Sequence, residues 1–407
     1  MDTIWYKLGL PVTLSTTMDY KIRNLLKAAR DREKSLLRLL QALVELESPT
    51  AENASEKAAL DRCLDFAAEA SARLGATIRR HRCRDSGDIL EARFSSGPAR
   101  RGEKPILLLG HLDTVWPLGT IAQMPFRIEK GRAYGPGVLD MKAGVAMALT
   151  ALDLLRTEGL PHRPVILLLT GDEETGSAAS RELLEKTALR CEAVYVLEPA
   201  QGFDGAYKTA RKGIANYRVH VTGVPAHSGV NFEQGHSAIA ELARQVAAIE
   251  VLTNLKRGIT VNVGTIHGGT RSNVIPAEAW AEVDVRVPRS SDFTRIDRRM
   301  KSLRAHDKAC VLKVEGGLNR PPMERTRAGV ALYRQAAALA GQLEIDLAEA
   351  STGGGSDGNF TSALGIPTLD GMGAVGEGAH ARNESVVLKH LAPRTALLAA
   401  MLMPRER

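Results

Sequence analysis

The stretch Ile106–Gly144, ILLLGHLDTVWPLGTIAQMPFRIEKGRAYGPGVLDMKAG, limits what this chain can fold into more than any other. Ile106-Leu107-Leu108-Leu109 offers no polar position to either face of a strand, so it reads as a strand buried on both sides. The run stops at Gly110, and His111 and Asp113 follow at once. Groups able to bind a metal therefore stand at a strand's carboxyl end. The loop returns through the glycine-rich turn Tyr134-Gly135-Pro136-Gly137 to Asp140, just before an alanine-rich helical segment beginning near Lys142. His111, Asp113 and Asp140 are delivered to one place.

The pattern repeats downstream. A second apolar run, Val165 to Leu169, ends in Thr170-Gly171-Asp172-Glu173-Glu174, and a third, Ala193 to Leu197, ends in Glu198-Pro199. Helical spacing over Lys142–Arg156 and from Ser180 onward separates them. Strand, helix, strand, helix, strand predicts an α/β fold with a mostly parallel sheet flanked by helices, in which ligands bind outside the carboxyl ends of the strands. His111, Glu173, Glu174 and Glu198 then share one edge. Ahead of this core, one or two helices are expected over Lys21–Leu46 and another over Ser55–Leu74, followed by a weaker strand pair near Thr77–Arg82 and Ile89–Phe94.

From about Arg211 the texture changes. Ala215–Thr222, Gly258–Gly264, Ala277–Pro288 and Cys310–Glu315 read as strands, and Gln234–Leu252 and Asp292–Arg304 as helices. In the third strand Ala281, Val283, Val285 and Val287 share one face, while Glu282, Asp284 and Arg286 share the other. This makes a smaller α+β unit of two helices and four strands, with Gly316–Pro322 as the linker back. Helices at Arg327–Gly341 and Pro393–Met403 and a short strand at Ile366–Leu369 then resume the first pattern. A length of 407 residues fits two domains. The expected division is residues 1–210 and 323–407 for the larger α/β domain and 211–322 for the smaller inserted one.

Composition narrows the function classes. With 44% hydrophobic and 25% charged residues, the chain has the balance of a water-soluble globular protein. No apolar run approaches the roughly 20 residues of a membrane span. The N-terminal MDTIWYKLGLPVTLSTTMDYK lacks the basic start, apolar core and small-residue cleavage site of an export signal, so the cytoplasm is the expected location. Cys63, Cys83, Cys191 and Cys310 show no CxxC spacing, which argues against a disulfide framework or a thiolate metal site. A net charge of +7 comes with only 4% aromatic residues and short basic clusters, so neither nucleic acid nor membrane is an expected partner. No GxxxxGK[ST] string occurs, which disfavours P-loop nucleotide enzymes.

Taken singly, the polar strand ends have commonplace readings. A histidine after a strand usually makes an ordinary hydrogen bond, Glu173-Glu174 suits a charged turn, and Asp140 suits a helix cap. Together they gather like charges at one edge, which costs stability unless a cation compensates. Histidine and carboxylate without cysteine suit zinc, with cobalt or manganese as substitutes, and one carboxylate can bridge two ions. Two consecutive glutamates can divide the work, one ligating metal and the other facing the cleft as general base towards a metal-activated water.

The strings GHLDTVWPLG, PFRIEKGRAYGPGVLDMKAG, TGDEETGS, VLEPA, VPAHSG, RSNVIPAEAWAEVDVR, GGGSDGNF and GEGAH, in that order, resemble the dizinc exopeptidase and deacylase family of glutamate carboxypeptidase, acetylornithine deacetylase and aminoacylase. The likeness runs from about Leu46 to His380, and TVWPLGT and AYGPG bring it nearest the carboxypeptidase G type. By that resemblance His111 and Glu198 bind one zinc, Glu174 and His380 the other, and Asp140 bridges them. Glu173 is then the general base, Asp113 orients the His111 ring, and a cis peptide follows Asp140, where Met141 departs from the acidic residue frequent in the family. His227, in VPAHSG, is implied to stabilise the oxyanion in a partner subunit's site, which makes a homodimer through the inserted domain the expected assembly. Arg286 and Asn273, with backbone amides at Gly354, are implied to hold a substrate carboxylate. The expected activity is amide hydrolysis releasing a C-terminal, glutamate-like amino acid from an N-acyl amino acid or peptide. The alternatives are an acetylornithine- or succinyl-diaminopimelate-type deacylase, and a metal-binding protein whose catalysis has decayed.

Overall fold

The computed structural model describes residues 16–84, 86–95 and 103–404. Residues 1–15 of the segment searched for an export signal lie outside them. Two compact units form: one from the described residues up to Thr209 with Arg325–Thr352 and those from Ser356 on, the other from Ala210–Glu324 and Gly353–Gly355. Among the described residues, no helix is long and apolar enough to cross a membrane.

The first unit is mixed α/β. Its main sheet runs in the order Thr77–His81, Ile89–Phe94, Val165–Thr170, Ile106–His111, Ala193–Val196, Thr368–Leu369. The last four strands are mutually parallel, and Ile89–Phe94 runs against its neighbours. Every residue of Ile106–His111 and Val165–Thr170 is buried, as the unbroken apolar runs require. Alternate side chains serve opposite layers. Leu107, Leu109, Ile166, Leu168, Val194 and Val196 pack with Leu184, Ala188 and Phe360, whereas Ile106, Leu108, Leu167, Leu169 and Tyr195 pack with the helices Glu33–Glu45, Ala143–Thr157 and Leu391–Leu402. Each such leucine or isoleucine contributes about 1.5–3 kcal/mol by leaving water, so the core, not the polar edge, holds the strands in register.

A second, small sheet in this unit orders Gly376–Glu377, Ser385–Val387, Arg132–Tyr134 and Arg127–Glu129, all antiparallel. Its strands are too short for the periodicity of sequence to announce them. The opening helical region divides into Thr16–Asp31 and Glu33–Glu45, and the next helix, Ala54–Arg73, starts where the Asn53 side chain accepts from the amides of Ser55 and Glu56.

The second unit is an antiparallel sheet in the order Thr260–Gly268, Glu278–Val287, Gly213–Thr222, Val311–Arg320. Helices Ala238–Glu250 and Ser290–Lys301 cover the face carrying Val219, Val221, Ala281, Val283 and Val285. One expectation fails here. Gly316–Arg320 is not linker but the second half of the edge strand, paired with Ile214–Tyr217. A side chain at Gly316, whose φ is +114°, would meet the Asn216 carbonyl oxygen at 2.1 Å, so the glycine signal marks close backbone approach within a strand.

Gly144, in the first turn of helix Ala143–Thr157, lets that helix lie against the end of the Ala193–Val196 strand. A Cβ there would stand 2.0 Å from the Leu197 carbonyl oxygen. Alanine's higher helix propensity would add about 1 kcal/mol, but relieving contact with a fixed backbone oxygen costs about 1–3 kcal/mol. Gly144→Ala is therefore expected to lower the midpoint of chemical denaturation, and a midpoint equal to or above that of the natural chain refutes this packing argument.

Candidate metal centre

Three neighbouring strands end side by side, and their polar ends converge. His111 is the last residue of its strand, Glu173 and Glu174 lie in the single turn Glu173–Thr175 after Val165–Thr170, and Glu198 follows Ala193–Val196 by two residues. Potential ligand atoms of His111, Glu173 and Glu198 lie within 4.8 Å of one another, as do those of His111, Asp140 and Glu174. The small sheet supplies the rest: Asp140 lies beyond its strand Arg132–Tyr134, and His380 lies in the loop between Gly376–Glu377 and Ser385–Val387.

Asp140 stands between the two imidazoles. Its Oδ1 is 3.3 Å from His111 Nε2 and its Oδ2 is 3.4 Å from His380 Nε2. Glu198 Oε1 lies 3.6 Å from His111 Nε2, and Glu174 Oε1 lies 3.2 Å from His380 Nε2. His111 is 1% exposed, whereas the His380 side chain is 50% exposed, so the site opens on the His380 side.

His111 Nε2 and Asp140 Oδ1 are buried without a hydrogen-bond partner. Leaving such atoms unsatisfied costs about 1–3 kcal/mol each, unless something else fills the gap. Nitrogen and carboxylate oxygen around two orphaned, facing atoms fit a divalent ion such as zinc. Charge balance agrees. Burial works against a proton on the His111 ring, yet Asp113, Asp140 and Glu198 outweigh it and hold the ring's pKa well above the usual value. Hydrogen bonds to Asp140 and Glu174 push His380 up to about 10. Burial raises the Glu174 carboxyl, while Asp140, despite its burial, is held far below the carboxylate range by the two imidazoles. Protons on the rings supply positive charge that a divalent cation would supply in their place.

The surrounding hydrogen bonds orient the candidate ligands. His111 Nδ1 lies 2.9 Å from the Asp113 carbonyl oxygen and 3.4 Å from the Asp113 carboxylate. Donation from Nδ1 to that carbonyl leaves Nε2, which faces Asp140, as the nitrogen that could bind a cation once it gives up its proton. The Asp113 carboxylate accepts from the amides of Glu173 and Glu174, at 3.2 and 3.1 Å, and from Thr50 Oγ1 at 2.9 Å. It therefore fixes the glutamate turn as well as standing beside the ring. The Asp140–Met141 peptide is cis. Met141 is buried beside Gly110 in the core cluster that also holds Leu169 and Leu197, and its sulfur accepts the His111 amide, an environment that favours a thioether over an acid.

His227, Asn273, Arg286 and Gly354 belong to the second unit. His227 and Asn273 are exposed neighbours: the amide of Ser228 donates to the Asn273 carbonyl at 3.1 Å, and His227 Nδ1 accepts from the Gly229 amide at 3.1 Å. Arg286 is half-buried, its Nε held by both oxygens of Asp284. The Gly354 carbonyl accepts from Arg211. Sequence reasoning passed over Thr50, Trp116 and Glu384, the last a buried carboxylate with four N–H donors. The one available signal was an acid four residues after His380, which by spacing alone is indistinguishable from a surface glutamate.

Residues 107–403 match the model of peptidase family M20/M25/M40. Carboxypeptidase G2 of Pseudomonas sp. (strain RS-16) is 31% identical over 93% of this chain and 91% of its own length. A succinyl-diaminopimelate desuccinylase of Delftia acidovorans is 27% identical over 91% of this chain and 98% of its own. In structure, the chain resembles aminopeptidase PepT from Bacillus cereus, with a TM-score of 0.76 at 23% identity over 91% of this chain and 98% of that one.

If the carboxylate cluster depends on a cation, zinc should stabilise the fold. At a free concentration a hundredfold above its Kd, one bound ion adds about 2.7 kcal/mol. Chelation is therefore expected to lower the melting temperature, and zinc to restore it. A melting temperature indifferent to both would remove the metal from this site.

Proposed function

The chain belongs to peptidase family M20/M25/M40, and on that footing we propose that it is a dizinc hydrolase releasing a C-terminal, glutamate-like amino acid from N-acyl amino acid or peptide substrates. Membership makes it a metal-dependent hydrolase of peptides or N-acyl amino acids. The observation that carries the dizinc reading is Asp140, whose two oxygens face different imidazoles at 3.3 and 3.4 Å. A carboxylate so placed suits two cations better than one. Similarity to carboxypeptidase G2 supports the choice of substrate.

In this reading His111 and Glu198 hold one ion, Glu174 and His380 the other, and Asp140 lies between. When bound, the ions supply Lewis acidity that polarises the scissile carbonyl and makes water easier to deprotonate. Glu173 shares the cluster with His111 and Glu198, so its carboxylate is placed to take a proton from the attacking water and pass it to the leaving nitrogen. The proton balance closes, and the carboxylate returns ionised. Asp113, by holding the amides of Glu173 and Glu174, keeps the base and the adjacent ligand on separate courses. Arg286, Asn273 and Gly354 keep the roles that the family resemblance implies, holding the substrate's terminal carboxylate, and His227 acts on the oxyanion in a partner subunit's site.

Glu173→Gln is expected to lower kcat at least about a hundredfold, the scale of general-base catalysis, while two zinc ions per chain remain by elemental analysis. Retained turnover would reassign the base. A panel of N-acyl and dipeptide substrates ending in glutamate, aspartate or neutral residues tests specificity. Preference for N-succinyl-diaminopimelate or N-acetylornithine instead would favour the deacylase reading, which the desuccinylase similarity also supports.

The proposed homodimer has its own test. Mixing Glu173→Gln with His227→Ala chains in equal amounts should restore about a quarter of the natural activity, because half the dimers are mixed and each of those has one intact site. No restoration after subunit exchange would place His227 in its own chain's site or outside catalysis.

A further inference from the structure

Glu384 is 1% exposed, and its carboxylate is the meeting point of four donors. Oε1 accepts from the amides of Leu139 and Asp140, at 2.9 and 3.1 Å, and Oε2 from the amide of Gly137 and the indole Nε1 of Trp116, at 2.9 and 2.8 Å. Both oxygens are fully occupied, and all four partners donate, so the site is built for a group that accepts through both of its terminal atoms. Three of the donors belong to the turn that presents Asp140. Gly137 in that turn has a φ of +69°, and a Cβ there would meet Thr114 Cγ2 at 2.5 Å, so the turn has little room to adopt another shape.

At its own backbone, Glu384 closes the loop that presents His380. The Glu384 amide donates to the Ala381 carbonyl at 2.9 Å, and the Ala381 amide donates to Gly378 at 2.8 Å. The strand Ser385–Val387 begins at the next residue and pairs with both Gly376–Glu377 and Arg132–Tyr134. His380 itself has a φ of +63°, in the left-handed region that L residues rarely occupy. One side chain therefore ties the Asp140 turn to the His380 loop, two segments more than two hundred residues apart in the chain.

We propose that Glu384 is the positioning residue that sets the distance between Asp140 and His380 and thereby the affinity of the ion they share. The proposal rests on reading those two residues as metal ligands. Glu384 touches neither substrate nor ion. It acts through the backbone of the turn, in the way that groups behind metal ligands tune affinity by fixing ligand direction. Two acceptor oxygens are needed because a glutamine amide, whichever way it is turned, sets its NH2 against two N–H donors.

The test compares the natural chain, E384Q, E384D and W116F by zinc titration of the metal-free proteins in a buffered free-zinc series. Cobalt substitution, read by visible absorption, reports ligand geometry, and the melting temperature of each metal-free form reports folding separately. E384Q is expected to require about 10–100-fold more free metal for filling, the range found for such supporting partners, with an altered cobalt spectrum. E384D should recover part of the loss, and W116F, which removes one of four donors, should shift filling least. A role confined to stability predicts a lower melting temperature with unchanged filling of the folded protein, and that result overturns the proposal. Should E384Q fail to fold, E384D decides: filling at the natural zinc concentration overturns it. Absence of metal binding by the natural chain would instead sink the reading of the site itself.

Discussion

Four carboxylates, those of Asp140, Glu173, Glu174 and Glu198, gather with two imidazoles at the ends of three adjacent strands, and the rest of the first unit is arranged around making that tolerable. The strands cannot retreat, because their apolar bodies are buried on both faces and fix where each one stops. Like charges at this spacing repel, and His111 Nε2 and Asp140 Oδ1, which face each other at 3.3 Å without a hydrogen bond, leave a place where a cation could compensate. The surrounding carboxylates hold the pKa values of His111 and His380 above the usual range, which shows how strongly this edge calls for positive charge. The same feature that burdens stability is the one that makes the site useful.

Two buried carboxylates outside the ligand set organise the cluster. Asp113 gathers the amides of Glu173 and Glu174 and the hydroxyl of Thr50, while its carbonyl receives the His111 ring. Glu384 gathers the amides of the Asp140 turn and the Trp116 indole. Both use carboxylate oxygens to hold main-chain N–H groups at the starts of short helical turns. The turns carrying the candidate ligands are thus held by hydrogen bonds to buried carboxylates as well as by apolar packing.

Local pattern made much of this visible, and its failures have a common cause. The buried strands, the helices over Ala54–Arg73 and Arg327–Gln342, and the valine face of Glu278–Val287 follow from periodicity that spans many residues. Gly316-Gly317 misled, since glycine marks both linkers and places where backbones approach closely, and only the Asn216 carbonyl opposite distinguishes them. The strands at Arg132–Tyr134 and Ser385–Val387 are three residues each, too short to carry an alternation. Glu384 escaped because a buried acid and a surface acid have the same letter, and Trp116, although within TVWPLGT, has an indole whose partner only the fold reveals.

By itself, then, the sequence determined the parallel core, the edge at which polar residues collect, the presence of an inserted α+β unit and, through its motifs, the family chemistry. These are properties of runs and strings, written in residues close together along the chain. The tertiary structure decided which atom faces which: that Asp140 turns one oxygen to each imidazole, that the Asp113 carboxylate holds the glutamate turn, and that Glu384 ties the Asp140 turn to the His380 loop. Those relations join residues separated by tens to hundreds of positions, and their energies depend on distance and burial, quantities that exist only once the chain is folded.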